Sequence, residues 1–291
     1  MYIFSVLKNI FKVSNIGTII FFFLNAGMII GIFSAFCSEN LKYIWIIYII
    51  SIMIALSPVG EWFLCLVAGA KKMRRMDMRN RILPCAQQVF QKAKEKTPSL
   101  PNTIILKVMY DPNPNAFAIG RKTICVTEGL FDLPDEMIEG ILAHEIGHLA
   151  LHHTDIQLLI GGGNFIVTAF ILVLEIVSAI TTGIATIGTL RSKSCLGGCL
   201  FSFVGAICGG LIWLWTKYCM LFLMWSSRAN EYAADQYAYE IGYGYELAQV
   251  LDTIGTGVPQ NTFLKALYST HPETNDRIGK LQELGVPYSR Y

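Results

Sequence analysis

Hydrophobic residues fall into four long runs in two pairs, with one stretch of mixed polarity between the pairs and another after them. The first run, Ile16 to Phe36, carries no charge and is long enough to cross a bilayer as a helix, which takes about 20 apolar residues. Lys8 and Lys12 precede it, but the run is too long for the core of a cleaved signal and no small-residue cleavage site follows. The second run, Tyr43 to about Ala70, is interrupted by Pro58 and Glu61, so a span is expected to end near Pro58 and to lead into an interfacial stretch around Trp62. Two glycine-rich runs, Leu158 to about Leu190 and Leu196 to about Trp225, are separated by Arg191 and Lys193. They predict a second apolar hairpin, and Glu175 inside it should face a partner helix or water.

Between these pairs the periodicity changes. Pro84 to Lys96 is amphipathic and predicts a helix. Thr103 to Met109, Asn115 to Ile119 and Thr123 to Thr127 are short β-rich segments punctuated by Asp111-Pro112-Asn113-Pro114 and Gly120-Arg121-Lys122, which predicts three strands. A helix is expected to open near Pro134, with Asp135 and Glu136 in its first turn where acidic groups favour the helix dipole. The tail predicts helices around 229–241, 245–254 and 276–284.

Composition agrees with a chain partly solvated by lipid. Apolar residues make up 53% and charged residues 15%, against about 25% charged in a soluble domain. The net charge of +2 gives no basis for a nucleic-acid partner. Six basic residues in Lys71–Arg81, directly after an apolar run, mark the cytoplasmic side and predict contact with anionic lipid. Arg191 and Lys193 would lie on the other side, a mild violation of the same rule. The eight cysteines mostly sit in or beside apolar runs, as reduced buried thiols do. Cys195 and Cys199 are the only close pair, without the further ligands of a zinc knuckle; their role is left open.

The chemistry concentrates at His144-Glu145-Ile146-Gly147-His148. Histidines four apart on a helix share a face, so both imidazoles can grip one metal ion while Glu145 takes a proton from an activated water. A catalytic zinc needs a third protein ligand and one open position. Leu151 and Thr154 stand where a third-histidine motif would have Gly and His, so that solution is excluded. A carboxylate from a later helix is the alternative, and Glu231 fits, with Asp235 one turn on to orient a ligand histidine. His152 and His153 are expected to face solvent or the membrane interface.

On these residues the chain resembles HtpX, a family of bacterial integral-membrane zinc metalloproteases, and more distantly the CAAX prenyl proteases. The resemblance spans nearly the whole chain, including Asn115-Ala116-Phe117-Ala118, the HExxH helix, Ser227-Arg228 leading to Glu231 and Asp235, and Thr270-His271-Pro272 with Arg277. It implies an α+β membrane protein with about four transmembrane helices and a gluzincin-like domain facing the cytoplasm of a bacterial inner membrane. One Zn2+ per chain is implied on His144, His148 and Glu231, with Glu145 as general base. Asn115 and Ala116 correspond to an edge strand that binds substrate, and His271 and Arg277 to positions that complete the active site. His271 is expected to donate to the oxyanion, and Arg228 and Arg277 to pair with buried carboxylates. The substrates implied are polypeptides, above all misfolded or damaged membrane proteins, and self-cleavage is plausible on the same ground. Ile119 and Glu273 depart from the family pattern, which puts substrate preference in doubt but not the metal chemistry.

The expected organisation is an N-terminal membrane hairpin (1–70), a first protease segment (71–156), a second apolar hairpin (157–225) and a second protease segment (226–291). Two rival readings stand beside the protease: a prenyl-protein endopeptidase, for which the spanning segments are too few, and a zinc-bound membrane scaffold or chaperone-like binder without turnover. An intact Glu145 argues against the scaffold, since a structural site needs no base and is normally closed by four protein ligands. The oligomeric state is not legible.

Overall fold

The computed structural model describes residues 15–36, 41–155, 228–254 and 274–289, with isolated positions 158, 173, 176, 180, 183 and 210. Glu175, Cys195, Cys199, most of the second apolar hairpin and His271 therefore lie outside the described residues.

Helix α1 is Ile16–Phe36 and α2 is Leu41–Ala55. The chain then turns sharply into α3, Pro58–Val67. Ser57 caps α3 by accepting from the Val59 N–H, and Pro58 occupies the first turn, where a missing N–H costs nothing. The apolar stretch Tyr48–Ala55 meets α3 at 73°. Counting only described residues, no single helix is long and apolar enough to cross a membrane, though this bent pair meets the criteria together.

Among the described residues the sheet has four strands: β1 (Lys71–Lys72), β2 (Ile105–Met109), β3 (Ala116–Ile119) and β4 (Thr123–Thr127). Their order is β1-β2-β4-β3, so β3 is an edge among these strands. Strands β2 and β4 run parallel, while β3 pairs antiparallel with β4 in the register Phe117 opposite Cys125. Alternation sends Val108, Ala116, Ile124 and Val126 to one face and Met109, Phe117, Ile119 and Cys125 to the other. The first face joins the main core; the second is covered by Leu64, Cys65 and Ala68 of the α3 region.

Helix α4 runs from Met76 to Lys96, two turns longer at its start than the predicted Pro84–Lys96. Proline inside a helix normally breaks it, but the buried stripe Met78, Ile82, Cys85, Ala86, Val89 and Ala93 runs through Pro84 and overrides the local penalty. The basic stretch thus becomes strand, loop and helix, and only part of it is free to meet lipid. Arg75 pairs with Asp77 and Glu128, and Arg81 pairs with Asp135; Lys71, Lys72, Arg74 and Arg79 stay exposed.

Helix α5, Asp135–Ala150, is buried over most of its length and forms the spine of the domain. Helix α4 packs on one side and α7, Gly244–Ile254, on another. Two glycines permit this crowding. A Cβ on Gly140 would lie 2.7 Å from the backbone of Glu246 and Leu247. A Cβ on Gly147 would lie 3.1 Å from the Ala234 carbonyl oxygen in helix α6, residues 228–240. Helix α8, Thr274–Glu283, closes against α7 and carries Arg277 inward. Cys65, Cys85 and Cys125 are buried free thiols.

Candidate metal centre and active site

One turn of α5 carries His144 and His148, and the close approach of α6 at Gly147 brings Glu231 over them. The facing His144 and His148 Nε2 atoms are 3.1 Å apart. The Glu231 carboxylate reaches His144 Nε2 at 3.4 Å and His148 Nε2 at 3.3 Å. Donors at about 2.0–2.1 Å in a tetrahedron around zinc stand about 3.3 Å apart, so these three groups fit the ion. Charge agrees with this. Among the described residues, Glu145, Glu231 and Asp235 bring three buried carboxylates together beside the guanidinium of Arg277, an excess of negative charge that favours a cation.

The surroundings orient the donors. His144 Nδ1 lies 2.8 Å from Asp235 Oδ1, which leaves Nε2 with its lone pair toward the centre. Asp235 in turn accepts from Arg277 Nε at 2.7 Å and Nη2 at 2.6 Å. Burial pushes the Asp235 carboxyl up, but Arg277 and His144 outweigh it and hold its pKa at about 2. Burial would likewise lower the metal-free His144 imidazole, yet Asp235 and then Glu231 hold it up at about 10. For Arg277, burial opposes the charge, and Asp235 and Glu231 more than compensate.

Glu145 stands beside the three donors, its Oε1 3.9 Å from His144 Nε2. Its Oε2 accepts the backbone N–H of Ala118, on edge strand β3, at 2.7 Å. The proposed base is therefore held by the strand proposed to carry substrate. Sequence reasoning missed Ala118 because a backbone donor leaves no signature in residue type.

Ala116, expected on a substrate-binding strand, is on β3, with Asn115 just before it and hydrogen-bonded to Thr127. Arg277 is buried in the cluster, whereas Arg228 is exposed, the surface role that stood beside carboxylate pairing as its alternative. The expectation that His153 faces solvent or the membrane interface is overturned. Helix α5 ends with His152 at φ 61°, a left-handed residue that reverses the chain. The reversal buries His153 and sets its Nδ1 3.0 Å from His148 Nδ1.

A helix-borne histidine pair with an adjacent carboxylate and a third donor from a later helix are the parts of a metalloprotease site. The family model described as Peptidase family M48 matches residues 77–285, and the chain belongs to that family. It is similar to a protease HtpX homolog of Tropheryma whipplei (strain Twist), at 30% identity over 245 residues, covering 76% of this chain and 77% of the relative. A second protease HtpX homolog, from Acaryochloris marina, is 26% identical over 259 residues, covering 79% and 82%. Among solved structures, S. mikatae Ste24p aligns with a TM-score of 0.48 at 19% identity, over 88% of this chain and 61% of that one. The chain is a metalloprotease whose substrates are polypeptides.

Proposed function

We propose that this protein is a zinc endopeptidase of a bacterial inner membrane that removes misfolded or damaged membrane proteins, with its catalytic domain on the cytoplasmic side. The domain is assembled from 71–156 and 226–291, and the apolar segments 1–70 and 157–225 anchor it through about four spans. The observation that carries the catalytic part is the convergence of His144, His148 and Glu231 at 3.1–3.4 Å, with Glu145 alongside.

His144, His148 and Glu231 would hold one Zn2+, which when bound supplies a Lewis acid for the peptide carbonyl and lowers the pKa of water. Glu145 accepts the proton of the attacking water and delivers it to the leaving amine. Asp235 holds the His144 ring in place, and Arg277 keeps Asp235 ionised. The substrate backbone adds to the edge of β3, exchanging Glu145 for the peptide at the Ala118 N–H, and is read by main-chain hydrogen bonds that tolerate varied sequences. Asn115 and Ala116 lie at the start of that track, and His271 is assigned to the oxyanion.

The test is cleavage of an unfolded polypeptide by the detergent-purified full chain, for wild type and Glu145→Gln, with zinc content measured on both. Expected are cleavage by wild type, loss of about 10³-fold or more in the variant, and equal zinc. Zinc-loaded wild type that cuts neither soluble nor membrane polypeptides would sink the reading in favour of a scaffold.

A further inference from the structure

The outer side of α3 is apolar and open. Val59, Trp62, Phe63, Leu66 and Val67 are each 56–62% exposed, and their spacing forms one continuous stripe along the helix. The stripe continues one on α2, where Ile46, Ile49, Ile50, Met53 and Ile54 are also exposed. With a 73° bend between the arms, a steep α2 leaves α3 nearly parallel to the bilayer plane. The exposed basic residues Lys71, Lys72, Arg74 and Arg79 follow immediately, where anionic headgroups would lie.

The inner side of α3 grips the substrate strand. Glu61, buried between α3 and the β3–β4 hairpin, accepts from the Thr123 hydroxyl and from the Arg121 N–H at 3.3 Å. The Arg121 guanidinium reaches back to the Leu56 carbonyl at the elbow. The hairpin tip, Gly120, has φ 60°, and a Cβ there would lie 2.6 Å from Glu61 Cγ, so glycine is required both by the backbone and by this contact. Leu64 and Cys65 pack on Phe117 and Ile119 of β3. On the other side, Thr154, just beyond the active-site helix, donates to the Gly120 carbonyl at 2.5 Å.

We infer that α3 lies in the surface of the bilayer and, through Glu61 and the β3–β4 hairpin, holds the peptide-docking edge at the membrane, so that the preferred substrates are extended segments adjoining a transmembrane helix. This rests on the membrane-protease reading above and names its substrate class.

The full chain is reconstituted in nanodiscs of phosphatidylethanolamine and phosphatidylglycerol with brominated acyl chains. Tryptophan emission is compared between wild type and Trp62→Phe. A contact between Trp62 and lipid gives a loss of bromine-quenchable emission in the variant; unchanged quenching overturns the inference, because the stripe is then covered by protein. In parallel, Trp62→Ser/Phe63→Ser is assayed on one unfolded sequence, either free or fused a few residues from a spanning helix. Losing two aromatic anchors is expected to lower cleavage of the fused substrate about tenfold while the free one is cut at the wild-type rate. Equal loss or no loss on the two substrates overturns the inference. If wild type cuts neither, the protease reading fails, and the quenching arm still decides where α3 sits.

Discussion

The metal cluster and the outer face of α3 invert the usual arrangement of a globular protein in opposite ways. In the first, His144, Glu145, Glu231, Asp235 and Arg277 are buried polar groups. In the second, five large apolar side chains of α3 are exposed. A buried polar cluster is stable only if every charge has a partner, so its geometry is tightly coupled and each member is hard to remove. An exposed apolar stripe is not needed by the domain that carries it, and its side chains can be changed without disturbing the core. Both reach the same edge strand, one through Glu145 at Ala118, the other through Leu64 and Cys65 packed on Phe117 and Ile119.

The largest effect is expected from Arg277→Met. It leaves Asp235 and Glu231 without their guanidinium, and such a loss costs about 3–5 kcal/mol. Chemical denaturation of the detergent-solubilised protein measures it, and a cost below about 1 kcal/mol would show that the cluster is not coupled in this way. Asp235→Asn should lower zinc affinity about 10- to 100-fold, because the His144 ring loses its ionised acceptor. Competition with a chelator reads that change.

Acid should act on the same cluster. Asp235 has a native pKa of about 2 against a reference of 3.8, so its contribution is complete above the reference value and is lost as pH falls through about 2. In the zinc-free protein the thermal midpoint should fall over that window, and the Asp235→Asn variant should lack this part of the decline. Gly147→Ala should cost about 1–3 kcal/mol, since its Cβ would press on the Ala234 carbonyl and push Glu231 from the histidines. At the small end, Trp62→Ser should change the stability of the solubilised domain by less than about 0.5 kcal/mol. A larger loss would mean that the exposed stripe belongs to the fold.

Much of the catalytic domain was legible in the chain. Strand β4 runs over Thr123–Thr127 as expected, and α5 opens just after Pro134. These elements follow from short-range periodicity and turn chemistry. Helix α4 starts two turns before the expected Pro84, because the buried positions Met78 and Ile82 lie in or beside the basic stretch expected to face lipid. His153 was misjudged because the reversal after α5 depends on a left-handed histidine, which residue type does not announce.

The sequence by itself determined which side chains could serve a metal, since the four-residue spacing of His144 and His148 and that of Glu231 and Asp235 are properties of single helices. Only the tertiary structure decided that these helices meet at Gly147, that Arg277 enters the cluster while Arg228 stays outside, and that a backbone N–H of β3 holds Glu145. It also joined Glu61 to a hairpin some 60 residues away. Spacing along one helix is set by local geometry, whereas contacts between distant segments depend on which surfaces the whole chain buries together.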